Sequence, residues 1–379
     1  MQLKPFNLGL LMNIYSKLVR PLLFQLDAEL VHNKAIQLSR FAGSIKHICS
    51  IFYSLYGISD PRLQTEVCGI KFPNPLGLAP GWDKNGRAIN LLSAMGFGHV
   101  EVGSISRYPS LGNPKPRLFR LPLDQALVVY YGVPNDGADA IAARLKRVQL
   151  PIPLGINVVK TNRGMAAPPE SDDVVIADYV YSVKLLKDVG DYICLNLSCP
   201  NTINGREFFE DKHHISLLLK ALSELNIRVP VFLKISPRGG IRRLEEILEA
   251  VDGFSWVSGF VFNAPPGKPN GLSTPRRFVE IMPGAVTGKP VERQINEYVS
   301  NMYGLMDRSR YKIIGSGGIF TAEDAYRKIC LGSSLVQLVT GMVFEGPGVA
   351  KKINHGLLSL LERDGFSNLS EAIGTGSNL

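Results

Sequence analysis

The sequence predicts an α/β protein, a closed (β/α)8 TIM barrel carrying an N-terminal helical extension. Two observations predict the barrel. Eight short apolar segments recur after residue 60, each followed by a polar or glycine-rich turn and, in most cases, a stretch of helical periodicity. Residues able to do chemistry collect just beyond those segments, at the strand ends where barrels of this kind carry their active sites. A third observation sets the extension apart: residues 1–60 show helical spacing only. The expected division is a helical segment over 1–60 and a barrel over 61–379.

In the extension, Phe6, Leu10, Ile14 and Leu18 recur every four positions. Val31, Ala35, Leu38 and Ala42 form a second stripe, and Ile45, Ile48, Phe52 and Leu55 a third. Pro21 and Gly43 are expected to separate these stripes into two or three short helices. None has the ~18 uninterrupted apolar residues of a membrane span, and the run Leu8–Met12 is too short for a signal-peptide core. Lys4, Lys17, Arg20, Lys34, Arg40 and Lys46 outnumber Asp27 and Glu29, which suits helices lying in a membrane interface against anionic head groups. A helical cap packed on the barrel fits the same periodicity.

The expected strands are Pro75–Ala79, His99–Ser104, Leu154–Val159, Tyr192–Leu197, Val231–Ile235, Gly259–Phe262, Lys312–Gly315 and Leu335–Val339. Helical patterns at Ala88–Met95, Asp178–Val189, Ile215–Leu225, Leu244–Val251, Ala322–Leu331 and Val349–Arg363 sit between or after them. Eight such units close into a barrel more naturally than they spread into an open doubly wound sheet.

Composition narrows the function. A chain of 379 residues, 45% hydrophobic, can bury a large core. The net charge of +9 allows contact with anionic membranes, phosphates or acidic substrates, but the basic residues are scattered, which argues against nucleic acid. Cys49, Cys68, Cys194, Cys199 and Cys330 form no C-x-x-C pair. With no secretory signal visible they read as reduced thiols, and no zinc, iron–sulfur or other metal site is expected.

The most informative stretch is Ile193-Cys-Leu-Asn-Leu-Ser-Cys-Pro-Asn-Thr202. Its alternation is that of a strand, ended by Pro200. Cys199 then stands between the amides of Asn196 and Asn201, where a thiol can move a proton on a substrate whose polar edge the amides hold. Other strand ends carry Ala79-Pro-Gly81-Trp-Asp-Lys84, Ser104, Asn157, Lys234, Gly315-Ser-Gly317-Gly318-Ile319 and Thr340-Gly341. Glycines at the seventh and eighth strand ends let backbone N–H groups approach a phosphate, and two lysines can stabilise an anionic ring.

Several of these motifs, in this order, resemble the dihydroorotate dehydrogenases of the membrane-associated, quinone-using class (class 2). The matching stretches are 24–32, Asn74–Ala79, Gly112–Pro122, Asn196–Thr202, Ile313–Ile319 and Ser334–Leu338. The resemblance implies an FMN-binding barrel that oxidises (S)-dihydroorotate to orotate in pyrimidine biosynthesis. By the same resemblance, Ala79, Gly81, Lys84, Ser104, Asn157, Lys234, Gly288, Gly317, Gly318, Thr340 and Gly341 hold FMN. Lys84 also reaches the substrate, as do Asn196, Asn201, Thr202 and Asn263. Cys199 takes the family's base position, removing the proton from ring carbon 5 while hydride passes from carbon 6 to the flavin. Quinone is expected to enter between the N-terminal helices beside Arg120 and His32. A peripheral protein on the cytoplasmic face of a bacterial inner membrane is implied, with the mitochondrial inner membrane as the alternative.

Three departures qualify that pattern. The class normally carries serine at the base position, whereas cysteine belongs to the soluble classes; a thiol is the more acidic group. Val129 stands where a substrate-binding asparagine is expected. The usual Thr-Asn-Thr-Thr after strand six is Asn263-Ala264-Pro265-Pro266, so a second asparagine is lost or shifted by one residue. Two other functions therefore stay open: a family enzyme acting on a different cyclic amide or acid, and a barrel that binds a phosphorylated ligand without redox turnover.

Overall fold

Alternation along each strand builds the barrel. In Tyr192–Asn196, Ile193 and Leu195 join the large cluster shared with the helices, while Tyr192 and Cys194 belong to a separate interior cluster with Phe232, Val261, Ile314 and Leu335. The computed structural model describes residues 14–164, 166–199 and 207–376. Its eight barrel strands are β1 (Leu76–Leu78), β2 (His99–Ile105), β3 (Leu154–Val158), β4 (Tyr192–Asn196), β5 (Val231–Ile235), β6 (Val257–Phe262), β7 (Lys312–Ser316) and β8 (Leu335–Leu338). They pair in parallel in chain order, and β8 closes on β1 with Val336 opposite Leu76 and Leu338 opposite Leu78. Each of the eight expected strands is present, within three residues at either end.

Close packing inside the barrel dictates some of the sequence. A Cβ on Gly77 would lie 2.1 Å from the His99 ring, so β1 carries glycine where that buried ring crosses it. At the bottom, an antiparallel hairpin of Thr65–Val67 and Ile70–Phe72 inserts Val67 and Phe72 into the interior cluster and plugs the barrel.

N-terminal to the barrel, α1 (Arg20–Phe24), α2 (Ala28–Gly43) and α3 (Lys46–Tyr56) form the extension. Gly43 ends α2 as expected. Pro21 does not break a helix: it sits in the first turn of α1, where its missing N–H is tolerated, directly after a π-helical turn at Tyr15–Val19. The break falls instead at Gln25–Asp27, and the Asp27 carboxylate caps α2 by accepting from the Leu30 N–H at 2.8 Å. The start of the first stripe, Phe6 and Leu10, and the run Leu8–Met12 lie outside the described residues. Among the described residues, no helix is long and apolar enough to cross a membrane.

Around the barrel run α4 (Ile89–Leu92), α5 (Ala138–Leu145), α6 (Asp172–Leu186), α7 (Lys212–Ser223), α8 (Gly240–Asp252), α9 (Glu292–Leu305), α10 (Ala322–Cys330) and α11 (Val349–Asp364). The expected helix at Ala88–Met95 is shortened to one turn. The chain reverses at Gly96 (φ +84°), whose carbonyl accepts from the side chains of Asn74 at 3.2 Å and Asn354 at 3.1 Å. Sequence reading did not anticipate α5, α9 or a three-stranded antiparallel sheet of Leu118–Leu121, Ala126–Val129 and Ala285–Gly288. That sheet joins the segments following β2 and β6 above the strand ends.

Candidate active site

The strand ends, the three-stranded sheet and the N-terminal helices enclose one cavity of about 750 Å³. Its barrel side is lined by Ala79, Gly81, Lys84, Ser104, Asn196, Cys199, Lys234, Asn263, Gly317, Gly318, Thr340 and Gly341. Its helical side is lined by Leu23, Phe24, Val31, His32, Ala35, Leu38 and Phe52, with Arg120, Val129 and Tyr131 between the two. Nearly every sequence-selected residue thus faces one space. Asn157 and Gly288 stand one layer behind it. Asn157 is fully buried, and its Oδ1 accepts from the Ser104 hydroxyl. A Cβ on Gly288 would touch Thr340 Cγ2 at 3.0 Å. Asn201 and Thr202 lie outside the described residues.

The polar floor is a continuous hydrogen-bonded chain. Asn263 Nδ2 donates to Asn196 Oδ1 at 3.3 Å and to the Ser198 carbonyl at 3.2 Å. Asn196 Nδ2 donates to Ser104 Oγ at 3.1 Å, and Tyr179 holds the Asn196 backbone carbonyl from behind at 2.7 Å. Asn157 Nδ2 continues to Glu101 at 2.8 Å. Asn263 therefore joins Asn196, one residue before the position occupied by Ala264. Val129 and Ala264 also line the cavity and bring no polar group to it.

Lys84 marks the seam between the two sides. Its Nζ donates to the Gly81 carbonyl at 2.8 Å, lies 3.2 Å from His32 Nε2 and sits 4.0 Å above the Tyr131 ring. Burial brings its pKa down to about 8, against the opposing charges of Asp83 and Glu29. Burial, together with the Lys84 charge, holds His32 well below its ordinary value, so the imidazole is neutral and can accept from the ammonium. The loop carrying Lys84 is held by Asp83, which accepts from the backbone N–H groups of Asn85, Arg87 and Ala88.

At the opposite wall, Gly317 (φ +81°) and Gly318 (φ +75°) follow β7 in a conformation that favours glycine. A Cβ there would meet Ile295 Cδ1 at 2.4 Å or Glu292 Cβ at 2.3 Å, so α9 packs against the outer face of this turn. No described residue accepts a hydrogen bond from the backbone N–H of Gly317, Gly318 or Gly341. Unpaired N–H groups beside a cavity, those of Gly318 and Gly341 in buried residues and that of Gly317 in a half-buried one, are the donors an anionic phosphate requires.

The helical side is anchored through few polar contacts. Arg117 grips the Glu29 carboxylate of α2 at 2.8 Å, with both side chains buried, and also donates to the carbonyls of Leu111 and Asn113. Arg120 donates to the Leu26 carbonyl at 2.7 Å and lies over the Phe24 ring. Tyr15 and Arg20 donate to the carbonyls of Val343 and Phe344. Leu18, Leu22, Leu30, Leu38, Phe41 and Ile51 remain at least half exposed.

Sequence reading missed Trp82, Tyr131 and Gln337 as cavity-lining residues, and Glu101 beneath them. A signal for Glu101 existed: His99 and Glu101 occupy the inward phase of a strand whose outward phase, Val100 and Val102, is apolar.

Comparison with known proteins agrees with this geometry. A family profile described as Dihydroorotate dehydrogenase matches residues 62–361. A dihydroorotate dehydrogenase (quinone) of Natronomonas pharaonis is 37% identical over 369 residues, covering 96% of this chain and 99% of the relative. One of Nostoc sp. is also 37% identical, with the same coverage. The crystal structure of DHODH from Eimeria tenella in complex with ferulenol superposes with a TM-score of 0.81 at 30% identity, covering 92% of this chain and 95% of that one. The chain belongs to the dihydroorotate dehydrogenase family.

Proposed function

We propose that this protein is an FMN-dependent dihydroorotate dehydrogenase that oxidises dihydroorotate to orotate for pyrimidine biosynthesis, with Cys199 as the base and a membrane quinone as electron acceptor. The observation that carries the reading is the convergence of Lys84, Asn196, Cys199, Lys234 and Asn263 with the unpaired N–H groups of Gly317, Gly318 and Gly341 on one cavity. That cavity suits a flavin phosphate: a Cβ on Gly81 would meet nothing within 4 Å, and the donors opposite have no protein acceptor among the described residues. When bound, FMN would supply a two-electron acceptor able to pass electrons singly or in pairs to a quinone.

The chain's own residues then have distinct tasks. Gly317, Gly318, Thr340 and Gly341 would hold the phosphate, while Lys234 would face the isoalloxazine from β5. Asn196 and Asn263 would orient the polar edge of the substrate ring, with Asn201 and Thr202 from the following loop. Lys84, cationic below about pH 8, would balance its carboxylate. Cys199, 7% exposed, would take the proton from ring carbon 5. Arg120 and His32 would meet the quinone where the helical side opens. The exposed leucines and Phe41, with Lys17, Arg20, Lys34 and Arg40, support peripheral association with an anionic membrane, the cytoplasmic face of a bacterial inner membrane being the proposed site.

Val129 and Ala264 favour a second reading, a different cyclic amide or acid as substrate, because each missing partner leaves a substrate group unpaired at about 1–3 kcal/mol. Titrating the purified protein with dihydroorotate decides. Bleaching of a visible flavin band supports the first reading; a flavin that stays oxidised supports the second; a colourless protein sinks both. Gly317→Leu, its side chain forced against Ile295 of α9 at a positive φ, should distort the turn beside the cavity and lose the flavin while circular dichroism still reports the barrel, as judged against the visible spectrum.

A further inference from the structure

The three-stranded sheet and the N-terminal helices roof the same cavity. One face of the sheet turns Leu118, Arg120, Leu127, Val129 and Thr287 toward the cavity. The opposite face packs Leu121, Val128 and Val286 under the segment that follows β6. That segment contains a short helix, Arg276–Glu280, that is apolar on both sides. Val279, 2% exposed, and half-buried Met282 lie one turn apart and pack on the sheet. Phe278 and Ile281, spaced in the same way one position earlier, are exposed, Ile281 by 80%. A helical turn apolar on its outer as well as its inner face suits two apolar surroundings, and the sheet supplies only one.

Leu123 extends this outer face. It is 71% exposed on the turn that joins the first two strands of the sheet. Its neighbour Asp124 accepts from the backbone N–H of Ser273 at 2.5 Å and of Thr274 at 3.1 Å, so the turn lies against the chain just ahead of the short helix. In the other direction the same hairpin meets the helices, where Arg120 holds the Leu26 carbonyl. Leu26 and Leu22 are also more than half exposed. An apolar band therefore crosses the roof from the break between α1 and α2 to Ile281. Its charge is positive. Within residues 265–284, Lys268, Arg276 and Arg277 face a single acid, Glu280, which Arg276 pairs at 2.6 Å. Arg277 lies over the Phe278 ring, so cation and apolar surface share one face.

We propose that this band is a second membrane contact, in which Leu123, Phe278 and Ile281 enter the head-group region of an anionic bilayer beside the helices, with Arg277 against lipid phosphates. The inference deepens the peripheral-membrane reading and rests on it. A few apolar side chains and cations hold a protein to a bilayer only weakly, and stable attachment takes two signals acting together. The helices supply one and the roof of the barrel the other, so loss of either releases the protein. Charge selects a bilayer over a second copy of this chain. Two copies of a positive band meeting face to face repel each other, whereas anionic head groups attract it.

The test is flotation of the full chain with vesicles of equal parts phosphatidylglycerol and phosphatidylcholine. Leu123→Ser and Ile281→Ser should each weaken binding about three- to ten-fold, the effect of one partly inserted aliphatic side chain. Arg277→Gln should weaken it about five-fold on these vesicles and leave binding to pure phosphatidylcholine unchanged. Leu305→Ser, at the lower end of α9 and 39% exposed in the parent, should have no effect. Melting temperature and turnover with a small soluble acceptor should match the parent throughout, because none of these side chains lines the cavity. Ile281→Trp gives a direct readout. Its emission should move to the blue on vesicles and be quenched by acyl-brominated lipid, beyond any change in the parent, while that of Leu305→Trp should not. Unchanged flotation of both serine variants, or an Ile281→Trp emission that lipid does not quench, overturns the proposal and leaves the helices as the membrane contact. A parent chain that binds no vesicles overturns the peripheral-membrane reading as well. A dimer in sedimentation velocity that Ile281→Ser dissociates assigns the band to a second copy and also overturns the proposal.

Discussion

The two sides of the cavity are built on opposite principles. On the barrel side, amides, lysines and glycines stand at the ends of eight parallel strands, backed by buried hydrogen bonds that reach down to Glu101. On the helical side, the lining is aliphatic and aromatic, and the same helices leave Leu22, Leu30 and Phe41 facing outward. One half is preorganised to hold a polar ring in a single pose. The other can accommodate a long apolar molecule and only loosely specifies its position. This division matches the two halves of the proposed reaction, proton and hydride removal below and electron delivery to a lipid-borne acceptor above.

If the halves are separable, the sharpest cut is at the base. Cys199→Ala should slow flavin reduction by dihydroorotate ~10²–10⁴-fold in stopped flow, with FMN retained and reoxidation by quinone unchanged. Cys199→Ser should keep part of the rate, with its pH optimum displaced upward because a hydroxyl is harder to deprotonate. A Cys199→Ala protein that reduces its flavin at the parent rate places the base elsewhere.

The complementary cut removes residues 1–56. Loss of the helices should release the protein from anionic vesicles in a flotation assay. It should also lower turnover with long-chain quinones well beyond its effect on a small soluble acceptor. Equal loss with both acceptors would make the extension a structural lid for the barrel side and erase the contrast.

The smallest effect is expected at the seam. Because burial brings the Lys84 ammonium down to about pH 8, it is charged below that value and neutral above it. Orotate affinity, followed by the flavin spectrum, should therefore weaken as pH rises through this range, by at most about ten-fold per unit for one proton. Lys84→Arg should flatten that part of the profile. A flat profile in the parent would remove Lys84 from the contacts to the substrate carboxylate.

The same contrast explains what could be read from sequence. Strands buried on both faces, such as Val231–Ile235 and Lys312–Ser316, announce themselves as short apolar runs between turns, and their order alone implies closure. The places of Cys199, Lys84 and Gly317-Gly318 at the cavity were legible because they follow strands, where this fold opens its cavity. The strands Leu118–Leu121 and Ala126–Val129 were not, since four-residue segments are too short to show a period and the third strand, which pairs with Ala126–Val129, lies some 160 residues away. α9 had a readable stripe at Ile295, Val299 and Met302, all fully buried, masked by its polar remainder. In the extension, periodicity showed helices but could not show which face was covered. The partly open apolar stripe on α2, with Leu38 68% exposed, is visible only in three dimensions.

The Glu29–Arg117 pair has a consequence for how the molecule sits. Burial works to raise the Glu29 carboxyl, but the hydrogen bonds and charge of Arg117, aided by Lys115, hold it below the ordinary range. Its contribution is present at neutral pH and disappears as pH falls through that lowered value. Under neutral conditions the pair acts as a rivet between α2 and the loop after β2, beside the hydrogen bonds of Arg120 to Leu26, Tyr15 to Val343 and Arg20 to Phe344. In the proposed membrane-bound state, torque applied to the helices by a bilayer would be transmitted to the barrel and would fix its attitude toward the membrane plane. An acceptor arriving by lateral diffusion would then meet the cavity mouth in an orientation set by these contacts, the buried guanidinium of Arg117 among them.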